Sequence, residues 1–251
     1  MSTAQADGPL LQVRGLRKQY GGQVVLRSVD LDVSTHEVVC LIGGSGSGKS
    51  TLLRCIGLLD EVDDGTVHLG EVELTDPALD AAKVRRRVGI VFQAYNLFPH
   101  LTVLDNITLA PRRVHRIPRR QAQEQALELL DRLGLADKAN EHPDRLSGGQ
   151  QQRAAIARAL ATDPELLLFD EITSALDPEL VGEVLDVVAD LRRRGMTIVM
   201  ATHEMGFALN VADRVCYLEG GVIAEDGPAR QVLTEPREAT TRRFLARTLE
   251  R

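Results

Sequence analysis

Two patterns of hydrophobic residues along the chain predict two kinds of β-strand. Apolar and polar residues alternate in 29–33, 67–69 and 72–74, and the last two runs flank Gly70-Glu71. Alternation with a period of two is typical of a strand that buries one face, and two such runs around a short turn indicate a hairpin. These segments therefore predict a small antiparallel sheet in the N-terminal half of the chain.

The second pattern is a continuous apolar run, which favours a strand buried on both faces of a parallel sheet. Runs of this kind are Val38 to Ile42, Val88 to Phe92, Leu166 to Phe169 and Ile198 to Ala201. Each is followed at once by residues that can bind ligands, namely a Gly-rich segment from Gly43, then Gln93, Asp170-Glu171 and Thr202-His203. Open α/β sheets bind ligands at the carboxyl ends of their strands, so we expect a single site there.

Helical spacing appears between these runs. Segment 126–133 has apolar residues at positions i, i+3, i+4 and i+7 and stops at Gly134. Segment 181–191 repeats this spacing after Asp177-Pro178, which predicts a helix with Asp177 as its cap and ends before Gly195. Thr51 to Leu59 is a further predicted helix. The alternation of buried strands with helices makes the fold α/β.

The segment after the first buried strand is Gly43-Gly44-Ser45-Gly46-Ser47-Gly48-Lys49-Ser50. It matches the phosphate-loop pattern G-x-x-x-x-G-K-[ST] and lies between a predicted strand and a predicted helix. Backbone N–H groups of such a loop surround the β-phosphate, and the helix N-terminus adds partial positive charge. Lys49 is expected to reach the β- and γ-phosphates, and the Ser50 hydroxyl to bind Mg²⁺. With Thr51, this segment predicts an ATP-binding site.

Polar residues at the other strand ends are candidates for metal binding and hydrolysis. Asp170 is expected to complete the magnesium site, and Glu171 to orient and polarise the attacking water. Gln93 is a candidate contact to Mg²⁺ and to this water, although a Gln at a strand end is more often structural. His203 is a candidate hydrogen-bonding partner of the γ-phosphate.

A second motif gives the chain a family resemblance. Leu146-Ser147-Gly148-Gly149-Gln150-Gln151-Gln152-Arg153 resembles the signature motif of ATP-binding cassette (ABC) ATPases. The other family elements stand in the family order: the phosphate loop, Gln93 as the Q-loop, Asp170 and Glu171 of the Walker B strand, Ser174-Ala175-Leu176-Asp177 as the D-loop, and His203 as the switch histidine. On its own, Ser147 is a suitable N-cap for an Ala-rich helix whose N-terminus could bind an anion.

The resemblance implies a head-to-tail dimer in which the signature of one copy closes over the ATP of the other. Its nucleotide-contacting residues would be Ser147, Gly148, Gly149 and Gln150. Asp177 is then a candidate contact to the opposite cassette as well as a helix cap. Tyr20 resembles the aromatic residue that stacks on adenine, and the alternative is an ordinary half-buried strand tyrosine.

The same resemblance implies one ABC ATPase domain over residues 10–251. Residues 10–93 and 159–251 would form a RecA-like core with the antiparallel layer, and 94–158 an inserted helical subdomain. Two positions depart from the family pattern, because Gly44 and Ile172 stand where many relatives have Pro. We expect both departures to loosen their loops without removing a chemical group, which bears on the rate of hydrolysis.

Stretches 93–103, 178–184 and 202–208 resemble ABC importers of polar amino acids. This implies a peripheral subunit on the cytoplasmic face of the membrane, bound to an integral permease and working indirectly with a periplasmic or extracellular solute-binding protein. The alternatives are a cassette of another membrane complex, such as an exporter or a cell-division complex, and an ATPase stimulated by nucleic acid. The helical segment 94–145 is too short for the long coiled coils of chromosome-maintenance relatives.

Composition narrows these alternatives. Aromatic residues make up 3% of the 251 residues and Trp is absent, so the core must be aliphatic. A net charge of −6 argues against nucleic acid as the main partner, and the basic run 112–120 is interpreted as a solvated surface.

Cys40, Cys55 and Cys216 are odd in number and widely spaced, which favours buried reduced thiols. Residues 1–9 lack the pattern of a signal peptide, and no run approaches the ~18 apolar residues of a membrane span.

Overall fold

The computed structural model describes residues 8–80 and 84–249, and the chain divides into two units. The first unit comprises Met1–Ala81 and Thr197–Arg251, and the second comprises Ala82–Met196. The described strands are β1 (Leu11–Tyr20), β2 (Gln23–Val33), β3 (Val38–Ile42), β4 (Asp64–Leu69), β5 (Val72–Glu73), β6 (Val88–Val91), β7 (Leu166–Asp170), β8 (Thr197–Ala201), β9 (Arg214–Glu219) and β10 (Val222–Pro228). The described α-helices are α1 (Lys49–Ile56), α2 (Val103–Arg113), α3 (Arg119–Arg132), α4 (Gly148–Leu160), α5 (Pro178–Arg193), α6 (Met205–Val211), α7 (Ala229–Thr234) and α8 (Ala239–Leu249).

The first unit contains the predicted antiparallel sheet, with strand order β2-β1-β4-β5. Val13 pairs with Leu31 of β2 and with Val67 of β4, and all three side chains are buried. Leu69 pairs with Val72 across the turn at Gly70-Glu71, which confirms the predicted hairpin. The period-two pattern succeeded here because one face of the sheet is covered and the other is not.

The first unit also contains strands in the order β10-β9-β3-β8. Strand β3 is parallel to both β8 and β9, while β10 is antiparallel to β9. Every residue of β3 and of β8 is buried, as the continuous apolar runs predicted. Strands β1 and β10 were not predicted, because their apolar residues are interrupted by polar ones such as Glu225. Strand β9 was also not predicted, although its residues 215–218 form a continuous apolar run.

The second unit pairs β6 with β7 in parallel, from Val88 opposite Leu166 to Val91 opposite Phe169. Its helices α2, α3 and α4 enclose an aliphatic cluster. Members of this cluster include Val103, Ile107, Ala126, Leu130, Leu133, Ala154 and Ala157. Apolar spacing on α3 and small residues on α4 let these helices pack closely, and Gly134 follows the end of α3 in the left-handed region, as predicted.

Two sequence predictions about helices were wrong in detail. The helix predicted for Thr51 to Leu59 begins at Lys49 and ends at Ile56, where Gly57 caps it and Leu58 adopts a left-handed φ of 56°. Asp177 occupies the N-cap position of α5, but its side chain makes no capping hydrogen bond; its backbone carbonyl accepts from the amide of Leu180 at 2.8 Å.

The three cysteines are buried, as expected. Burial raises the pKa of the Cys40 thiol to about 12, which disfavours the reactive thiolate. Within residues 8–80 and 84–249, no helix combines the length and the apolar character needed to cross a membrane.

Candidate active site

The phosphate loop connects β3 to α1 and is curled around the side chain of Lys49. The ammonium group of Lys49 donates to the carbonyl oxygen of Gly43 at 2.9 Å and to that of Gly44 at 3.3 Å. The Lys49 side chain is buried, so its charge is held against the loop and is partly desolvated. A cation held in this position is placed to meet an anion that enters the loop.

Glycine at position 43 is required by a close approach of backbone. A Cβ atom on Gly43 would lie 2.3 Å from the carbonyl oxygen of Leu218, and φ is 150°. By contrast, a Cβ on Gly44 would meet nothing within 4 Å. The departure from proline at Gly44 is therefore not forced by crowding.

His203 lies at the same edge of the parallel strands as the phosphate loop. Leu41 pairs with Ala201, and the amide of Thr202 donates to the carbonyl of Leu41 at 3.3 Å. The chain then turns sharply, because the amide of Met205 donates to the carbonyl of His203 at 3.1 Å. This register brings the loop after β3 and the exposed His203 after β8 to neighbouring strand ends, as predicted.

Tyr20 is the last residue of β1 and leaves 45% of its surface exposed. Its hydroxyl donates to Oδ2 of Asp60 at 2.5 Å, and Nε of Arg54 donates to the same oxygen at 2.9 Å. Partial burial and the hydrogen bond to Asp60 raise the pKa of Tyr20 to about 12. Burial would raise the pKa of Asp60, but hydrogen bonds from Tyr20 and Arg54 outweigh it and lower this pKa. The ring is thus held in place while part of it stays open to solvent.

In the second unit, Gln93 and the pair Asp170-Glu171 lie at the carboxyl ends of neighbouring parallel strands, with Asp170 as the last residue of β7. Because Val91 pairs with Phe169, both polar segments emerge at the same edge of the β6–β7 pair. Glu171 has a left-handed φ of 48°. Its carbonyl oxygen accepts from the amide of Ser174 at 3.1 Å and from the Ser174 hydroxyl at 2.7 Å, which closes the turn into the D-loop.

Ile172, the second departure from the family pattern, is 1% exposed. Its side chain is buried within the core, which proline could fill only in part. The turn at this position is closed by the two hydrogen bonds from Ser174 and by burial of Ile172 instead of by a fixed proline ring.

The signature helix α4 begins with the capping arrangement that the sequence predicted for Ser147. The Ser147 hydroxyl oxygen accepts from the amide of Gln150 at 3.3 Å, and the Gln150 side chain accepts from the amide of Ser147 at 3.0 Å. This capping box uses the side chain of Gln150 within the chain. The amides of Gly148 and Gly149, in the first turn of the helix, have no partner within the helix and point outward from its N-terminus.

The glycines of the signature are closely surrounded by the Q-loop, the D-loop and the start of α5. A Cβ on Gly148 would lie 2.8 Å from the Tyr95 hydroxyl and 3.2 Å from Cδ2 of Leu176, while one on Gly149 would lie 3.4 Å from Cβ of Leu180. The Tyr95 hydroxyl is also 3.5 Å from the carbonyl oxygen of Ala175. The segment after Gln93, the D-loop and the start of α4 are therefore in direct contact.

A groove of about 540 Å³ lies beside this contact in the second unit. Its lining residues are Gln93, Ala94, Tyr95, Asn96, Leu97, Pro99, Pro143, Asp144, Gln151 and Ala175. Phe98, in the same loop, exposes 42% of its surface. The stretch 93–103 was singled out in the sequence, but the groove itself arises from residues far apart in the chain.

Sequence reasoning missed two residues that this geometry makes relevant. Asp60 orients Tyr20 across 40 positions of the sequence. Arg158 donates to the carbonyl oxygens of Asn96 at 2.5 Å and Tyr95 at 3.3 Å. The available signal for Arg158 was a long cation within the Ala-rich run of α4, where small apolar residues surround it.

The comparisons with known proteins agree with this geometry. The family model described as ABC transporter matches residues 26–174, which include the phosphate loop, Gln93, the signature and the Asp170-Glu171 pair. The chain belongs to the ABC transporter family. The predicted ATPase activity and the predicted α/β fold of an ABC cassette are therefore confirmed.

Two curated relatives match almost from end to end. The glutamine transport ATP-binding protein of Geobacillus stearothermophilus is 50% identical over 234 residues, covering 93% of this chain and 97% of the relative. The arginine transport ATP-binding protein of Bacillus subtilis is 48% identical over 240 residues, covering 96% of this chain and all of the relative.

Solved structures support the same assignment. A dimeric ATP-binding cassette in a post-hydrolysis state with ADP and phosphate has a TM-score of 0.79 at 36% identity, covering 88% of this chain and 99% of that one. CbiO1 of Clostridium perfringens, part of an ABC transporter complex, has a TM-score of 0.82 at 27% identity, covering 91% of this chain and 92% of that one.

Proposed function

We propose that this cassette is the ATP-hydrolysing subunit of an importer of polar amino acids, and that two copies act as a head-to-tail dimer beneath a membrane permease. The proposal of a dimer rests on two elements of the chain that are suited to bind phosphate. They are the curled loop around Lys49 and the glycine-rich start of α4 at Ser147. One ATP needs only one complete loop, so the second element is available to a nucleotide held by a partner copy. A dimeric cassette with bound ADP and phosphate is among the similar structures.

The substrate class is supported by the relatives. Four relatives that are 47–50% identical to this chain are named for transport of glutamine, arginine, glutamate and cystine, and they match over 93–96% of it. The cassette does not itself need to contact the solute, so this part of the proposal rests on likeness across the whole chain. Under this proposal, the subunit works at the cytoplasmic face of the membrane and a solute-binding protein acts on the far side.

We assign the nucleotide contacts in two groups. In one copy, the amides of residues 43–51 surround the β-phosphate, Lys49 binds the β- and γ-phosphates, and Tyr20 stacks on adenine. In the partner copy, Ser147, Gly148, Gly149 and Gln150 approach the γ-phosphate, and Asp177 lies at the dimer interface. The backbone amide of Gln150 donates to the Ser147 hydroxyl and its Oε1 accepts from the Ser147 amide, so the side-chain Nε2, which takes part in neither bond, is the suitable donor.

The residues assigned to Mg²⁺ offer suitable ligand atoms. Ser50, Gln93 and Asp170 present hydroxyl, amide and carboxylate oxygens, and Mg²⁺ in nucleotide sites takes one or two protein oxygens together with phosphates and waters. In the described part of the chain, no group of three or more His, Cys, Asp or Glu side chains could hold a metal by itself, which agrees with a site completed by the nucleotide. When bound, Mg²⁺ neutralises charge on the phosphate oxygens.

Hydrolysis is assigned to the residues at the strand ends. Glu171 orients and polarises the attacking water, Gln93 contacts the same water, and His203 hydrogen-bonds the γ-phosphate. The turn closed by Ser174 fixes the backbone of Glu171, which limits the orientations of its carboxylate. ATP binding closes the dimer, and loss of the γ-phosphate reopens it.

The groove beside Tyr95 is the proposed docking site for the permease. A short helix fits a groove with apolar walls, and Leu97, Pro99 and Pro143 provide such walls while Asp144 and Gln151 provide polar contacts. The exposed ring of Phe98 extends this surface. Movement of the signature relative to the partner copy would then be transmitted to the permease docked in the groove.

The decisive experiment uses Glu171→Gln and Lys49→Ala. Glu171→Gln should bind ATP, lose at least about 100-fold in turnover as expected for a group acting on the transferred proton, and accumulate as an ATP-bound dimer in size-exclusion chromatography. Lys49→Ala should lose turnover without accumulating that dimer. Wild-type turnover in Glu171→Gln would remove Glu171 from its assigned role.

The import assignment is tested with the wild-type cassette and the membrane permease that co-purifies with it, reconstituted in lipid nanodiscs. A solute-binding protein loaded with a polar amino acid should raise ATP turnover above that seen with the empty protein. Stimulation by DNA alone, or by a lipid or drug without the solute-binding protein, would contradict import and favour the alternatives.

A further inference from the structure

Two side chains of the signature helix α4 donate hydrogen bonds to backbone carbonyls of segment 92–96, part of which lines the docking groove. Arg158 donates to the carbonyl oxygens of Tyr95 and Asn96, and Nε2 of Gln152 donates to that of Phe92 at 3.3 Å. Gln152 is fully buried. The carbonyls on both sides of Gln93 are thus held by one helix.

Burying the cationic side chain of Arg158 would destabilise the fold if this side chain only filled space. Burial lowers the pKa of its guanidinium, and among the described residues no carboxylate pairs with it. A desolvated cation without a counter-ion is destabilising unless its donors are used. The planar guanidinium of Arg158 donates to two successive carbonyl oxygens, which fixes the direction of the Q-loop backbone.

Tyr95 connects the same segment to the other end of the helix. Its side chain lines the groove, and its hydroxyl lies against Gly148, at the first turn of α4, and 3.5 Å from the carbonyl of Ala175 in the D-loop. Gly148 and Arg158 are ten residues apart, or about 15 Å along a helix. The end of α4 at Gly148 lies at the proposed nucleotide interface, and the end at Arg158 binds the backbone that lines the groove.

We infer that Arg158 is a positioning residue that couples occupancy of the groove to the placement of the signature motif. A helix docked in the groove displaces the backbone at 95–96, and the bidentate contact carries that displacement to α4 as a whole because the helix moves as a rigid element. The inference rests on the proposed docking of a permease in this groove. It assigns Arg158 no contact with ATP or with the permease.

The test compares Arg158→Lys with Arg153→Lys in the nanodisc assay. Lysine keeps the charge but cannot hold two carbonyls in a fixed fork. In Arg158→Lys, basal turnover and ATP affinity of the isolated cassette should stay within about twofold, while stimulation by permease and loaded solute-binding protein falls at least about fivefold, as for loss of a typical coupling energy. Arg153 lies on the same helix but donates to Leu133 and pairs with Glu183, so its variant should keep the wild-type stimulation ratio.

Gln152→Met provides a second variant, since it removes the other link with little change in volume, and it should lower the ratio in the same direction. Thermal midpoints of all variants identify any that is unfolded. If both Arg158→Lys and Gln152→Met are folded and keep the wild-type ratio, or if all three variants lose stimulation and basal turnover in parallel, the coupling role is overturned and Arg158 is structural. A wild-type cassette that the permease does not stimulate would instead overturn the proposed function on which the inference rests.

Discussion

Gly148→Ala probes the contact between the signature and the Q-loop. A Cβ at this position would lie 2.8 Å from the Tyr95 hydroxyl and 3.2 Å from Cδ2 of Leu176. Relief of such overpacking by shifts of neighbouring groups costs about 1–3 kcal/mol. Replacing glycine by alanine within a helix returns up to about 1 kcal/mol, and Gly148 lies outside the left-handed region, so its backbone permits alanine. If the full gain applies, the net expectation is a destabilisation of up to about 2 kcal/mol.

The Tyr95→Phe change removes the atom responsible. After the hydroxyl is gone, the nearest remaining atom of that ring is Cζ, 3.8 Å from the new Cβ, which is an ordinary contact. Combining Gly148→Ala with Tyr95→Phe should therefore recover about 1 kcal/mol relative to the sum of the single changes. Only the smaller contact with Leu176 should remain.

Urea unfolding of the four members of this cycle measures the stability, and the fraction of ATP-bound dimer in the Glu171→Gln background measures the effect on closure. Gly182→Ala is the matched control, because a Cβ on this exposed glycine of α5 would meet nothing within 4 Å. The control should be neutral or gain up to about 1 kcal/mol. If Gly148→Ala costs as much with Tyr95→Phe as without it, the hydroxyl contact is not the cause and the packing described for the signature is wrong.

Two further predictions concern Tyr20 and Glu225. Tyr20→Phe keeps the ring and should leave the ATP Kd nearly unchanged. Tyr20→Ala should raise the ATP Kd about tenfold or more, since stacking on a base is worth about 1–3 kcal/mol. Equal effects of the two changes in a nucleotide-binding titration would argue against stacking. Glu225 is buried and accepts from the amides of Arg237 at 2.8 Å and Glu238 at 3.1 Å. Burial would raise its pKa, but these and other hydrogen bonds outweigh it and lower the pKa. The stabilisation is thus complete above the unfolded value of about 4.3 and is lost as pH falls through the lower folded value. Glu225→Gln should lose about 1–3 kcal/mol at pH 7, and its urea midpoint should approach that of the wild type below about pH 4; a constant difference between pH 7 and pH 3 would show that ionisation of Glu225 is not involved.

Local sequence determined the features whose physics is local. The glycines and lysine of 43–50, the N-cap at Ser147 with Gln150 three residues later, and the strands β3 and β8 were all readable from short segments. The reason is that turns, caps and strand burial depend on neighbours within a few positions. The same reasoning overextended α1 to Leu59, because apolar spacing continues beyond the point where Gly57 ends the helix.

Tertiary structure alone decided which side chains support the candidate site. Asp60 holds Tyr20, Arg158 holds the carbonyls of Tyr95 and Asn96, and Tyr95 limits position 148 to glycine, each across 40 or more positions of the sequence. No periodicity marks such pairs, since partners that far apart meet only when the strands and helices between them have packed. The sequence by itself established an ATP-hydrolysing cassette with its loop, signature and strand-end carboxylates. Packing decided how the groove after Gln93 is connected to the signature, because the hydrogen bonds of Arg158 and Gln152 and the contact of Tyr95 with Gly148 join residues more than 50 positions apart in the sequence.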